Sequence, residues 1–308
     1  MEMNEEKVLV VENLSVLMKD RFLVRDVSFS LNQGDTLGII GEEKSGKSSL
    51  IKTIIGTLPI SDGKIYIYGN NIQEYPEILH QVGLCLDPPV FFKFQSIFDN
   101  IVYLCSLAGK VDKQKIVEVL NKFHLAEKMH KKVWKLSFYE KKCMALALAF
   151  INEPRLLILD EPFKSLPVQS VQRLRHYIEE LKEKNTTIVM TAKKYDSLED
   201  QCDYYMFMSQ RKVVNLLPRK QCEKFSTSKT YAFIEVKYPH YCGKMIAQEF
   251  GYRVKIMNKR VLFEADEDAT AEIVKYFTNN NLSVYSAGYI SSKSERIFAS
   301  LTPYFKEN

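Results

Sequence analysis

The stretch "TLGIIGEEKSGKSSL", Thr36–Leu50, decides the fold. Thr36–Ile40 is a short, mostly apolar run that reads as a strand, and a helix should run from about Gly46 to Thr57. Between them, Gly41–Ser48 fits G-x-x-x-x-G-K-S. Strand, glycine-bounded turn and helix in that order separate a phosphate-binding loop from a chance match. The physical reason is that the first turn of a helix has amides without partners and carries partial positive charge, so it draws anions. Lys47 is expected to reach the β- and γ-phosphates of a nucleotide, and the Ser48 hydroxyl to hold Mg²⁺. Gly41, Glu42, Glu43, Lys44, Ser45, Gly46 and Ser49 complete the expected phosphate cradle.

Downstream, "LLILDEP" delivers two acids to a strand end, Asp160 and Glu161. Its continuous apolar run is the pattern of a parallel strand buried on both faces. Parallel sheets bind ligands at the carboxyl ends of their strands. Asp160 is expected in the Mg²⁺ shell, and Glu161 as a general base that polarises an attacking water.

The rest of the first ~215 residues alternates β-rich runs with helical stretches, which implies an α/β domain with a mostly parallel sheet. Strands are expected at 8–11, 27–31, 64–68, 82–86, 156–160 and 186–191, and helices at 97–108, 112–123, 138–151 and 168–184. The block 91–150 has no strand pattern and reads as a helical insert. The polar segment 216–229 reads as a linker. Beyond it the order strand, helix, strand, strand, helix, strand predicts a small α+β, ferredoxin-like domain. The expected domains are therefore 1–218 and 229–308.

Bulk properties narrow the function. The 308 residues are 46% apolar, which supports sizeable cores and argues against disorder. A net charge of +5 carries no strong nucleic-acid signal. Six cysteines, at 85, 105, 143, 202, 222 and 242, lie too far apart for zinc pairs or a disulfide framework, which fits a reducing compartment. The acidic start "MEMNEEKV" lacks a signal-peptide pattern, and the longest apolar run, Cys143–Ile151, is too short to span a bilayer. A membrane role would need a partner.

The chain resembles the ATP-binding subunits of ABC transporters over nearly its whole length. Gly41–Ser48 stands at the family's Walker A motif, Leu156–Glu161 at its Walker B, and "LSFYE", Leu136–Glu140, at its LSGGQ signature. "SDGKIYIYGNNI" at 61–72 and "SERIFASLT" near the C-terminus add to the likeness, the latter towards bacitracin- and lantibiotic-resistance-type exporters. The resemblance implies a P-loop NTPase fold with a helical subdomain, and ATP with Mg²⁺. It implies head-to-tail pairing with a second ATP-binding subunit, and an integral membrane permease that holds the chain at the cytoplasmic face of the membrane. Each ATP would lie between one subunit's Walker motifs and the other's signature, where Ser137 would contribute.

Several stations depart from the family pattern. The signature glycines are Phe138 and Tyr139, the Q-loop glutamine is Asp87, the switch histidine is Ala192 followed by Lys193, and Pro167 stands in the D-loop. Asp87 is a hard oxygen ligand that suits Mg²⁺. Leu17, Met18 or Phe22 stands where an aromatic stacks on adenine in the family. The signature aromatics predict poor cover of a partner's ATP, hence slow or asymmetric hydrolysis, and favour a heterodimer with an intact sister subunit over a homodimer, which stays open. Two alternatives stay open: a regulatory ATP-binding scaffold without useful turnover, and a soluble P-loop kinase or nucleotide switch. "PPVFFKF", 88–94, is either a docking patch for the permease or a small core beneath a loop.

Overall fold

The computed structural model describes residues 7–107, 109, 111–227 and 231–302. Two compact units emerge, Met1–Leu216 and Leu217–Asn308.

In the first unit, β1 (Lys7–Met18) and β2 (Arg21–Asn32) form an antiparallel hairpin, continued by β4 (Asp62–Ile67) and β5 (Asn70–Asn71) in the order β2-β1-β4-β5. Both hairpin strands run far beyond the expected 8–11 and 27–31. Their apolar alternation is broken by Asn13 and Asp26, which take left-handed φ of 47° and 50°. The register shifts between Val11 and Leu14, and again before Val16, so one strand resembles several fragments to a period-2 reading. Lys19 and Asp20, with φ of 46° and 58°, close the hairpin in the conformation that matches the twist of its strands.

The second sheet positions the site. Its order is β10-β9-β3-β8-β7-β6, built from β3 (Thr36–Ile40), β6 (Val82–Cys85), β7 (Leu156–Leu159), β8 (Thr187–Ala192), β9 (Tyr204–Ser209) and β10 (Lys212–Pro218). From β6 through β9 every pairing is parallel. The carboxyl ends of β3, β6, β7 and β8 therefore share one edge, which carries the P-loop, Asp87, Asp160 and Ala192. Residues of β3, β7 and β8 are buried throughout, as their apolar runs require. Helix α1 (Lys47–Ile54) packs Leu50, Ile51 and Ile54 into the core shared by the two sheets.

The insert holds α2 (Ile97–Leu107), α3 (Lys113–Lys122) and α4 (Phe138–Phe150), then α5 (Val168–Glu183) follows β7. Helix α4 is apolar on most of its surface because it packs against β6 in the interior. The patch 88–94 is not a small core beneath a loop: Val90 is 87% and Phe94 80% exposed.

In the second unit, β11 (Ala232–Val236), α7 (Pro239–Phe250), β12 (Val254–Met257), β13 (Arg260–Phe263), α8 (Glu267–Asn279) and β14 (Val284–Tyr289) build one antiparallel sheet, order β12-β13-β11-β14. This is the ferredoxin-like arrangement. Two further helices were not foreseen, α6 (Arg219–Thr227) and α9 (Lys293–Leu301). They pack together, and Arg296 donates to the Ser226 carbonyl at 3.3 Å. The expected linker 216–229 is thus corrected: it contains the end of β10 and α6, and its last two residues lie outside the described ones. Polar composition misled here because α6 buries only Cys222 and Ser226. All six cysteines are buried and free.

Candidate functional site

The P-loop leaves β3 at Gly41, whose amide donates to the Ala192 carbonyl at 3.2 Å. A Cβ on Gly41 would lie 2.4 Å from the Met208 carbonyl oxygen, so only glycine fits. Gly46 turns the chain at φ 108° into α1, and no side chain caps that helix. Its first-turn amides are therefore without a capping side chain. The Ser45 hydroxyl beside them is buried with no hydrogen-bond partner among the described residues. An uncapped helix start and an orphaned buried hydroxyl fit a phosphate ligand. Lys47 is buried, and its ammonium donates to the carbonyls of Gly41 (2.5 Å) and Glu42 (3.0 Å). Burial pulls its pKa down, while the charges of Glu161 and Asp160 push it back up. Those opposing effects put the loop's lysine and the two strand-end acids in one electrostatic neighbourhood. The Ser48 and Glu43 side chains are exposed at its mouth.

The register of β7 beside β8 sets Asp160 next to Thr191. The Thr191 hydroxyl donates to Asp160 Oδ1 at 2.5 Å and accepts the Glu161 amide at 2.9 Å. Asp160 is 2% exposed. Glu161 takes φ 47°, a left-handed conformation that persists in a non-glycine residue only where surrounding contacts hold it. Thr191 was missed by the sequence reading; its signal is a hydroxyl one residue before the end of the strand TIVMTA, which neighbours the acid strand. Thr191→Val would leave the half-buried Glu161 amide and the buried Asp160 oxygen short of partners. Its expected cost is about 1–3 kcal/mol of unfolding free energy, read from urea denaturation.

The structure also brings two lysines to this edge that the sequence reading did not single out. Lys142, on α4, is wholly buried, with its ammonium 3.5 Å from Asp87 Oδ1. Lys164 Nζ lies 2.9 Å from Asp87 Oδ2 and 3.9 Å from Glu161 Oε2. The Asp87 hydrogen bond raises the Lys164 pKa. On the facing side Lys193 Nζ pairs with Glu43 at 3.3 Å, which lowers the Glu43 pKa.

Residues 24–164 match the family model described as ABC transporter. The chain carries an ABC transporter ATP-binding domain. Its relatives include ATP-binding proteins named for lantibiotic and bacitracin transport. Over 302 residues, 97% of each chain, it is 24% identical to the uncharacterized ABC transporter ATP-binding protein YhcH of Bacillus subtilis. Over 207 residues it is 28% identical to the lantibiotic transport ATP-binding protein SrtF of Streptococcus pyogenes, covering 67% of this chain and 89% of that one. Among solved structures, an ATP-binding subunit of an ABC transporter superposes with a TM-score of 0.65 at 24% identity, over 70% of this chain and 92% of its own. ABC ATP-binding domains bind nucleotide, and their subunits dimerise and work with membrane permeases.

Within the ABC frame, the signature segment folds as a capped helix start. Ser137 Oγ accepts the Glu140 amide at 3.2 Å and Glu140 Oε2 accepts the Ser137 amide at 2.7 Å, a complete capping box. Lys128, donating to Glu140 at 2.7 Å, holds that carboxyl down at about 2. The two aromatics diverge. Tyr139 turns into its own subunit, its hydroxyl 2.8 Å from Ser170 Oγ on α5, whereas Phe138 is 46% exposed. Ala192 is buried at the end of β8, and Pro167 precedes α5 as its N-cap. Leu17, Met18 and Phe22 are all exposed near the hairpin tip, and the Arg25 guanidinium sits 5.2 Å over the Phe22 ring.

Proposed function

We propose that this subunit drives export through a membrane permease, hydrolysing ATP slowly and asymmetrically beside a sister ATP-binding subunit. The observation that carries the reading is the convergence of Lys47, Asp160 and Glu161 at one sheet edge. The loop Gly41–Ser49 would cradle the phosphates, with Lys47 as their cation. Ser48 and Asp160 would hold Mg²⁺, which neutralises phosphate charge when bound. No cluster of three or more His, Cys, Asp or Glu that could hold a metal exists among the described residues. One hydroxyl and one carboxylate suit Mg²⁺, which is normally completed by water and substrate phosphates. Glu161 would accept the proton of the attacking water.

The sister subunit's signature would cover this chain's ATP, and Ser137 with Phe138 would face the sister's. A heterodimer fits because two copies of this chain would place an altered signature over both sites. The permease would meet the insert and its patch, where Phe92 and Tyr103 pack edge to face at 5.2 Å and Phe94 and Trp134 are exposed. No described helix is long and apolar enough to cross a membrane, so attachment at the cytoplasmic face would run through that contact. Purification of the tagged chain from membranes tests the reading: an integral membrane protein should co-purify, and its absence would remove the transporter assignment. Phe138→Gly is expected to raise turnover at the sister's site about tenfold, since a side chain no longer stands between backbone amides and phosphate. Steady-state ATPase assays check it.

A further inference from the structure

Lys142 is 0% exposed, yet it carries an ammonium and no step described above uses it. Its Nζ donates to the carbonyl oxygens of Asp160 at 3.2 Å and Glu161 at 3.0 Å, and it faces Asp87 Oδ1 at 3.5 Å. A buried ammonium is tolerated only when paired and hydrogen-bonded, and here it has three oxygen partners. Two of them flank the residue held at φ 47°. Asp87 in turn pairs with Lys164, which approaches the Glu161 carboxylate itself. The connected groups Lys142, Asp87 and Lys164 thus link α4 and the end of β6 to both the backbone and the side chain of Glu161.

We infer that Lys142 is a positioning residue for Glu161, and that Asp87 serves as its buried counter-ion rather than as a Mg²⁺ ligand. The mechanics are direct. The left-handed turn at Glu161 aims its side chain, and contacts from outside β7 hold that turn: Thr191 at the amide and Lys142 at the carbonyl. Both Asp87 carboxylate oxygens lie at ion-pair distance from an ammonium, Oδ2 hydrogen-bonded to Lys164 at 2.9 Å and Oδ1 3.5 Å from Lys142 without a hydrogen bond among the described residues. The inference rests on Glu161 being the base.

The test uses the full chain assembled with its permease and sister subunit. Lys142→Met/Asp87→Asn removes both buried charges together, which spares the fold the cost of one unpaired ion. ATP-dependent thermal stabilisation and KM should stay within about twofold of the parent while kcat falls about 10²-fold, the cost of a misplaced catalytic group. An unchanged kcat would overturn the positioning role. Loss of folding and of ATP binding together with turnover would overturn it too, by making the pair a fold element. In Asp87→Asn alone, the Mg²⁺ concentration giving half of the ATP-dependent stabilisation should not move; a several-fold rise would return Asp87 to the metal. Glu161→Gln, assayed beside these, keeps the failures apart. No effect there removes the base itself. A fall there with none in the double variant removes only the positioning role.

Discussion

Glu161→Gln in this chain lowers ATP turnover of the assembled transporter about 10²-fold, with ATP affinity held within about twofold. The amide keeps the size of the carboxyl and loses only its ability to take a proton. Around it little changes, because Thr191 and Lys142 bind the Glu161 backbone and not its side chain. Its ion-pair neighbour Lys164 is 3.9 Å away and about half exposed, a pair of little worth to stability, and Lys47 loses one of the charges that push its pKa up. A pure fall in kcat at constant melting temperature is therefore the expected pattern, read from steady-state kinetics and thermal denaturation. Unchanged turnover would favour the regulatory scaffold, in which this subunit binds ATP and the sister does the chemistry.

Lys47→Ala abolishes the ATP response. In the structure the Lys47 ammonium spends its bonds on two carbonyls of its own loop. Hydrogen bonds from a charged donor are worth about 1.5–3 kcal/mol each, and phosphate is a stronger acceptor than a carbonyl. Losing two of them weakens ATP binding by about 10²-fold or more. The fold should survive, since burial already disfavours the charge at that position. The check is a titration of the purified chain with ATP and Mg²⁺, followed by thermal stabilisation: the parent should shift and the variant should not at matched concentrations. Retained affinity would move the phosphate site away from Gly41–Ser49.

Much of the strand, turn and helix around Gly41–Ser48 was legible in the chain because each of its signals is local. The strand Thr36–Ile40 has the bounds read from its apolar run, since a strand buried on both faces needs no partner to reveal it. Ser137 and Glu140, three residues apart, announced their capping box. What stayed hidden depends on residues brought together from afar. Lys142 is one of two lysines after Glu140, and nothing nearby in sequence says that it enters the core beneath Asp160. Asp87 reads as a metal ligand from its type, and nothing near it in sequence says that Lys142 and Lys164 stand on either side of its carboxylate. Phe138 and Tyr139 look equivalent in a string. Only the hydrogen bond between Tyr139 on α4 and Ser170 on α5 shows that Tyr139 is engaged within the chain while Phe138 is exposed. Turn chemistry hid other elements: left-handed Asn13 and Asp26 broke the apparent period of β1 and β2, although the strands run through them.

Asymmetry between the two ATP sites is the claim that binds these observations, and one comparison tests it most directly. The Glu161→Gln substitution is placed in this chain, and separately the matching glutamate is replaced in the sister subunit, each in the reconstituted transporter. Turnover should fall about 10²-fold with the first and much less with the second. In the proposed heterodimer an intact signature would cover this chain's ATP, while Phe138 would stand over the sister's. Equal losses, or a loss confined to the sister's substitution, would contradict it.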